Sequence, residues 1–285
     1  MPERMFVSLL VFGAIGCGGE VGSLAVTVSG EEAAVSGFDA SAFDDGWRVD
    51  FDALVVSLSA FELRGADGEE AMLESDAVLV DVTEGDTTAW TFEGIGARRW
   101  EDLRYRIAPV TAGARDVGTI DPAIRQRMID EGLSIYVEAT ATKGDLTRRL
   151  EWAFTLDVGH SHCVGADGTD GIIVAAGAQN ETQVTTHWDH LFFDSLALDE
   201  AGMRFDAIAA AGDDVITLED LSSQRLADLR GLDGELLVDE EGAPVVYDPG
   251  STPLSEPTLR GMVEAVTATV GHLDGEGHCE YTTSF

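Results

Sequence analysis

The stretch 133–158, LSIYVEATATKGDLTRRLEWAFTLDV, constrains the fold more than any other. Its second arm alternates without a break. Leu150, Trp152, Phe154, Leu156 and Val158 share one parity, and Arg149, Glu151, Thr155 and Asp157 share the other. Successive side chains on an extended strand point to opposite faces, so this pattern is a strand with one face buried and one face wet. Lys143-Gly144-Asp145 stands between two arms rich in β-branched and aromatic residues, which makes it a hairpin turn.

Other segments have the same character. Residues 23–29 (SLAVTVS), 77–82 (AVLVDV), 103–110 (LRYRIAPV), 171–176 (GIIVAA) and 181–188 (ETQVTTHW) are β-rich, and 47–64 is long enough for a long or bent strand. About eight short strands with turn signals between them predict a mainly β chain. The expected architecture is a β-sandwich (Ig/transthyretin-like) over 23–189, with a short helix at 122–131. After Asp189 the pattern changes. Leu191, Phe192, Leu196 and Leu198 read as helical, as do 203–211 and 218–229, with Thr217 as a cap. Leu259, Met262, Val263, Val266 and Val270 are close to helical spacing, with Ser255 as cap, Pro257 in the first turn and Gly271 as terminator. Residues 190–285 are therefore expected as a helical C-terminal subdomain packed on the sandwich.

The N-terminal end carries a targeting pattern. Arg4 gives a charged start, and 5–15 are almost wholly apolar, ending in Ala14-Ile15-Gly16-Cys17. The apolar run falls far short of the ~20 residues of a spanning helix. A charged start, a short apolar run and small residues before a cut make a secretory signal. The segment resembles a bacterial lipoprotein signal, with Ala14 where leucine is more usual. The resemblance implies a signal peptide over 1–16, cleavage before Cys17 with lipidation of that cysteine, and a lipid anchor and short tether over 17–22. Acyl chains on one cysteine hold a protein to a membrane surface. Gly18 follows the cysteine where an aspartate would signal inner-membrane retention, so the outer membrane of a Gram-negative cell envelope is favoured.

The net charge is −36, and Lys143 is the single lysine. Such a surface repels nucleic acid and anionic lipid and favours cations, although acidity also serves solubility alone. With Cys17 committed to lipid, Cys163 and Cys279 remain. An even pair in an oxidising compartment predicts a disulfide rather than a thiolate metal site.

All six histidines fall in three short windows: HSHC (160–163), HWDH (187–190) and HLDGEGHC (272–279). A Cys163–Cys279 bridge would draw the first and third windows together, with the second near them. His160 and His162 continue the parity of the 150–158 row, as a clamp on one strand face would need. Neutral imidazole is a ligand for zinc, copper or nickel. The candidate ligands are His160, His162, His187, His190, His272 and His278, with Asp189, Asp194, Asp274 and Glu276 as carboxylates to orient the rings. Trp188 shares parity with Val184 and turns inward, which sends His187 to the opposite face, while His190 lies past the strand's end. The competing expectation is a metal-free, disulfide-braced polar histidine cluster in a structural or partner-binding envelope protein.

Two further resemblances bear on metal. Residues 209–221, AAAGDDVITLEDL, resemble an EF-hand loop with Asp213 and Asp220 at ligand positions. Ala209 and Ala211 replace two carboxylates and Asp214 replaces the glycine, so calcium is not expected. The segments LSAFELRGADG (58–68), AVLVDV (77–82) and RWEDLRYRIAP (99–109) resemble the MbnP-like periplasmic copper-binding proteins. That resemblance implies an envelope β-sandwich and copper. No copper ligand of the family maps onto a residue here. Enzyme motifs are missing: GHSHC is no Gly-x-Ser-x-Gly elbow, and Val164-Gly165 stands where a metallo-β-lactamase motif needs Asp-His. The chain is read as a binding protein rather than an enzyme, with a metal-dependent hydrolase as the remaining catalytic class. No motif names an envelope protein partner.

Overall fold

The computed structural model describes residues 19–66, 70–74, 76–239 and 242–283. With 44% strand against 18% helix, the protein is mainly β. The first strands in chain order are β1 (Val21–Ser29), β2 (Arg48–Arg64), β3 (Glu70–Glu74), β4 (Val78–Asp81), β5 (Thr87–Gly96), β6 (Arg99–Trp100), β7 (Asp102–Ile107) and β8 (Arg115–Val117). There follow β9 (Ile135–Lys143), β10 (Leu146–Phe154), β11 (Val158–Val164), β12 (Ile172–Ile173), β13 (Gln179–Thr186), β14 (Val215–Thr217), β15 (Gly271–Leu273) and β16 (His278–Thr283). The helices are α1 (Glu31–Ser36), α2 (Pro122–Glu131), α3 (Asp206–Ala209) and α4 (Leu259–Thr267).

Two sheets hold most of these strands. A four-stranded sheet runs β15-β13-β1-β5, and a ten-stranded sheet has the path β14-β10-β9-β2-β7-β11-β16 with β3, β4 and β8 beside it. Leu24, Val26 and Val28 of the first sheet and Leu54, Val56 and Leu58 of the second belong to one buried cluster. Phe61 on β2 lies 5.7 Å from Trp90 and 5.9 Å from Phe92 on β5, ring centre to ring centre. Each such side chain removed from water contributes roughly 1.5–3 kcal/mol, so this shared interior is what joins the sheets.

The hairpin forms as its alternation demands. Leu146 pairs with Lys143 across a two-residue turn, where Gly144 takes φ +58. Leu150, Trp152 and Phe154 are buried in register. The long β2 bends where Ala60 adopts φ +53, which shifts its register against β7 between Ser59 and Glu62. Helix α2 matches the expected span. Asp121 accepts the amides of Ala123 and Ile124, Pro122 opens the helix, and Gly132 closes it in the left-handed region.

The C-terminal portion departs from the expected run of helices. Among the described residues there, only α4 is a helix of appreciable length. Residues 188–229 instead hold 3-10 turns (Trp188–Phe192, Leu198–Glu200, Asp220–Ser223), the four-residue α3 and the strand β14, which joins the large sheet beside β10. Of the apolar residues read as helical, Leu191, Phe192, Phe205, Ile208 and Leu221 are buried, and Leu196 and Leu198 are half-buried. Side chains satisfy the backbone between them. Asp194 accepts from Gly202, Asp45 from Phe205 and Asp206, and Gln224 from Arg230. Such side-chain bonds let a buried segment forgo helical pairing.

Thr258, not Ser255, caps α4, its hydroxyl facing the Gly261 amide; Ser255 bonds to Glu264 instead. Nor does Gly271 end that helix. It opens β15, where an added Cβ would lie 2.5 Å from the His160 ring and 2.7 Å from the Tyr105 hydroxyl. The segment expected at 171–176 keeps only the two-residue β12. Among the described residues no helix is long and apolar enough to cross a membrane. Cys17 and the signal expected over 1–16 lie outside the described residues.

Candidate metal centre

Sheet register brings the second and third histidine windows together. In the β13–β15 pairing Val184 faces Leu273, Thr185 faces His272 and Thr186 faces Gly271. Directly paired residues share a sheet face, and Val184 and Leu273 are fully buried on the core side. Thr185 and His272 therefore occupy the other face. The ladder continues one step, because the His187 amide donates to the Val270 carbonyl. His187 thus shares the face of His272, diagonally across the pair. Their rings stack with centres 4.0 Å apart and planes 2° from parallel.

His190 arrives by a different route. After His187 the chain enters the 3-10 turn Trp188–Phe192. Three residues make one such turn, so positions i and i+3 fall on the same side. The His190 ring lies 5.7 Å from His187 and 5.3 Å from His272, nearly perpendicular to both. All three residues are buried, and their possible ligand atoms lie within 4.8 Å of one another. Trp188 points into the core as its parity requires. That parity sends His187 away from Trp188, yet the turn returns His190 to the same side.

The hydrogen bonds set two tautomers. His272 Nδ1 lies 2.8 Å from the Gly277 carbonyl, which can only accept. His272 therefore carries its proton on Nδ1 and leaves a lone pair on Nε2. His190 Nδ1 lies 2.8 Å from Thr269 Oγ1, and that hydroxyl spends its own proton on the Val266 carbonyl. The Thr269 oxygen must accept, so His190 is also protonated on Nδ1 with Nε2 free. A ligand histidine is commonly held in this way, by an acceptor on its other nitrogen. Burial pushes His190 down to about 3 and His272 down to about 4, with neighbouring rings adding to it, so both are neutral at neutral pH.

His187 is less satisfied. Its Nε2 is buried with no hydrogen-bond partner. That atom lies 3.7 Å from Glu31 Oε1. Glu31, His187 and Glu276 form a second group of possible ligand atoms within 4.8 Å of one another. Asp189 adjoins it: burial raises its carboxyl, while His187 and the His190 amide act in the opposite direction.

The other histidines diverge. His278 is exposed, with its ring 5.5 Å from that of His272. His160 is buried and stacked on Tyr105 at 4.7 Å, with neither ring nitrogen hydrogen-bonded. It packs under Gly271, on the core side of β15, whereas His272 projects from the other side. The β15 backbone separates them. His162 breaks the expected parity. It takes φ +49, at a register shift between Ser161 and Val164, and its ring points outward beside Glu280 and Asp102. The His160/His162 clamp therefore does not form.

Cys163 and Cys279 are joined in a disulfide that links β11 to β16. Of the four expected outer carboxylates, Asp194 is paired with Arg204 and Asp274 accepts the Gln183 amide. Asp189 and Glu276 border the cluster. The Asp220 carboxylate accepts from the amide and hydroxyl of Thr217, as a turn cap. Neither Asp213 nor Asp220 belongs to a potential ligand group among the described residues.

Glu31, Thr269 and Gly277 escaped the sequence. Glu31 follows β1, more than 150 residues from His187 along the chain, and no local pattern marks it. No protein-family model, curated protein or solved structure matches the chain.

Proposed function

We propose that this is a lipid-anchored cell-envelope protein that holds one transition-metal ion, zinc or copper, at His187, His190 and His272. One observation carries the proposal: possible ligand atoms of three buried imidazoles lie within 4.8 Å of one another, while two of the rings have Nδ1 already engaged and Nε2 free. A metal–nitrogen bond of about 2.0 Å puts tetrahedral ligand nitrogens about 3.3 Å apart, so the three must draw together modestly on loading. The nitrogen and oxygen donors suit Zn²⁺ or Cu²⁺, and the MbnP-like resemblance leans towards copper. The reading is binding, not catalysis. The architecture is taken as an Ig/transthyretin-like β-sandwich whose sheets take in β14, β15 and β16 from the C-terminal portion, and the lipidated Cys17 as a tether to the outer membrane. Envelope proteins are the partner class.

A second reading is favoured by the parallel His187–His272 stack, because two rings face to face do not aim their lone pairs at one point. In that reading the histidines are a metal-free polar cluster braced by the disulfide. Elemental analysis after zinc or cupric loading and desalting decides between them. The expected result is one ion per chain, lost in His187→Ala/His190→Ala and retained in His162→Ala. Less than about a tenth of an equivalent in the folded wild type refutes the metal reading.

A further inference from the structure

The two ligand groups share one residue and differ in depth. His187, His190 and His272 are all buried; Glu276 is exposed, and the Glu31 side chain is 38% exposed. His187 belongs to both groups. It is 92% buried, and its unpartnered Nε2 is aimed at the carboxylate pair, 3.7 Å from Glu31 Oε1. The acids come from separate elements: Glu31 opens α1, and Glu276 lies in the turn between β15 and β16. Glu31 is held in place there by its amide, which donates to Ser29 Oγ.

We propose that Glu31, His187 and Glu276 form the entry port of the metal centre, through which a divalent cation passes to and from the buried histidines. The inference rests on the metal-binding reading of the same site. A cation approaching this acidic surface meets two carboxylates at the mouth and the unpartnered Nε2 of His187 behind them. Hard oxygen donors exchange ligands readily and replace part of the hydration shell. The ion then keeps its bond to His187, while its bonds to Glu31 and Glu276 give way to bonds from His190 Nε2 and His272 Nε2. No proton has to leave in this exchange, because both incoming nitrogens already carry free lone pairs. His187 is the pivot. Release follows the same steps in reverse, so the carboxylates speed both directions and leave the equilibrium nearly unchanged.

The test is kinetic. Zinc sulfate is mixed with the apo-protein in a stopped-flow instrument, and loading is followed by tryptophan fluorescence or by competition with a chromogenic chelator. Transfer from the loaded protein to excess chelator gives the release rate. The full-length mature chain is compared with Glu31→Gln/Glu276→Gln. Asp213→Asn/Asp214→Asn, which removes the same charge at exposed residues outside both ligand groups, controls for long-range attraction. The expected result is a tenfold or greater fall in both rates in the glutamine variant, with Kd within threefold of wild type, and near-wild-type rates in the control. A tenfold weaker Kd with unchanged association would make the carboxylates permanent ligands and overturn the port. Equal slowing in the control would reduce the effect to general charge and overturn it too. Unaltered rates in the glutamine variant would also sink it while leaving the metal centre standing. A wild type that takes up no zinc or copper would remove the centre itself.

Discussion

Lowering the pH should destabilise this protein through His160, and the size of the effect follows from where that ring sits. It is 2% exposed, stacked on Tyr105 and packed under Gly271, with neither nitrogen hydrogen-bonded. Burial, assisted by His272, pushes its pKa from 6.5 down to about 3. Between those two values the unfolded chain takes up a proton that the folded chain refuses. The contribution of the neutral ring is therefore intact above pH 6.5 and is lost as pH falls towards 3. At pH 4.5 the loss is about 2.7 kcal/mol, from two pH units at 1.36 kcal/mol each. Urea denaturation followed by tryptophan fluorescence at pH 7.5 and 4.5 measures it, with His160→Phe as the comparison. Phenylalanine keeps the stack and removes the titration. Any packing cost of the larger ring is common to both pH values and cancels. Wild type should lose about 2.7 kcal/mol more than the variant across this interval. Parallel losses, agreeing within about 0.5 kcal/mol, would mean that the ring is hydrated or paired in the folded state, and the reasoning would fail.

Other changes test other parts of the structure. Reducing the disulfide, or replacing Cys163 and Cys279 by serine, should lower stability by up to about 5 kcal/mol, because the bridge closes a loop with a separation of 116 residues; equilibrium unfolding in urea measures this. Gly271→Ala drives a methyl into the His160 ring and the Tyr105 hydroxyl and should cost about 1–3 kcal/mol, seen as a lower Tm. Thr269→Val removes the acceptor that orients His190 and should weaken zinc binding about 10- to 100-fold in a competition titration. Asp121→Ala removes the cap of α2 and should cost about 0.5–2 kcal/mol by chemical denaturation, with metal binding unchanged.

Local chemistry was legible in the sequence wherever it was self-sufficient. The alternation from Leu150 to Val158 reports its own buried face. Asp121, Pro122 and Gly132 bound α2 without help from elsewhere. Cys163 and Cys279 are the only candidates left for each other once Cys17 is assigned to lipid. The C-terminal portion was harder to read because Leu191, Phe192, Phe205 and Ile208 satisfy helical spacing and irregular burial equally well. Longer helices give way there to side-chain bonds that only the fold supplies: Asp194 accepts the Gly202 amide, and Asp45, which accepts the Phe205 and Asp206 amides at the start of the four-residue α3, acts from more than 150 residues away.

The candidate site divides in the same way. Clustering of histidines in three windows, and the three-residue spacing of His187 and His190, belong to the sequence alone. Which rings meet was decided by tertiary structure. A one-residue alternation along β15 puts Gly271 over His160 and turns His272 to the other side, and a left-handed residue at His162 turns that ring to solvent. Glu31 reaches His187 only because β1 and β13 run parallel as neighbours. Periodicity says whether a residue faces in or out. Strand register, which couples segments far apart in the chain, says what it faces.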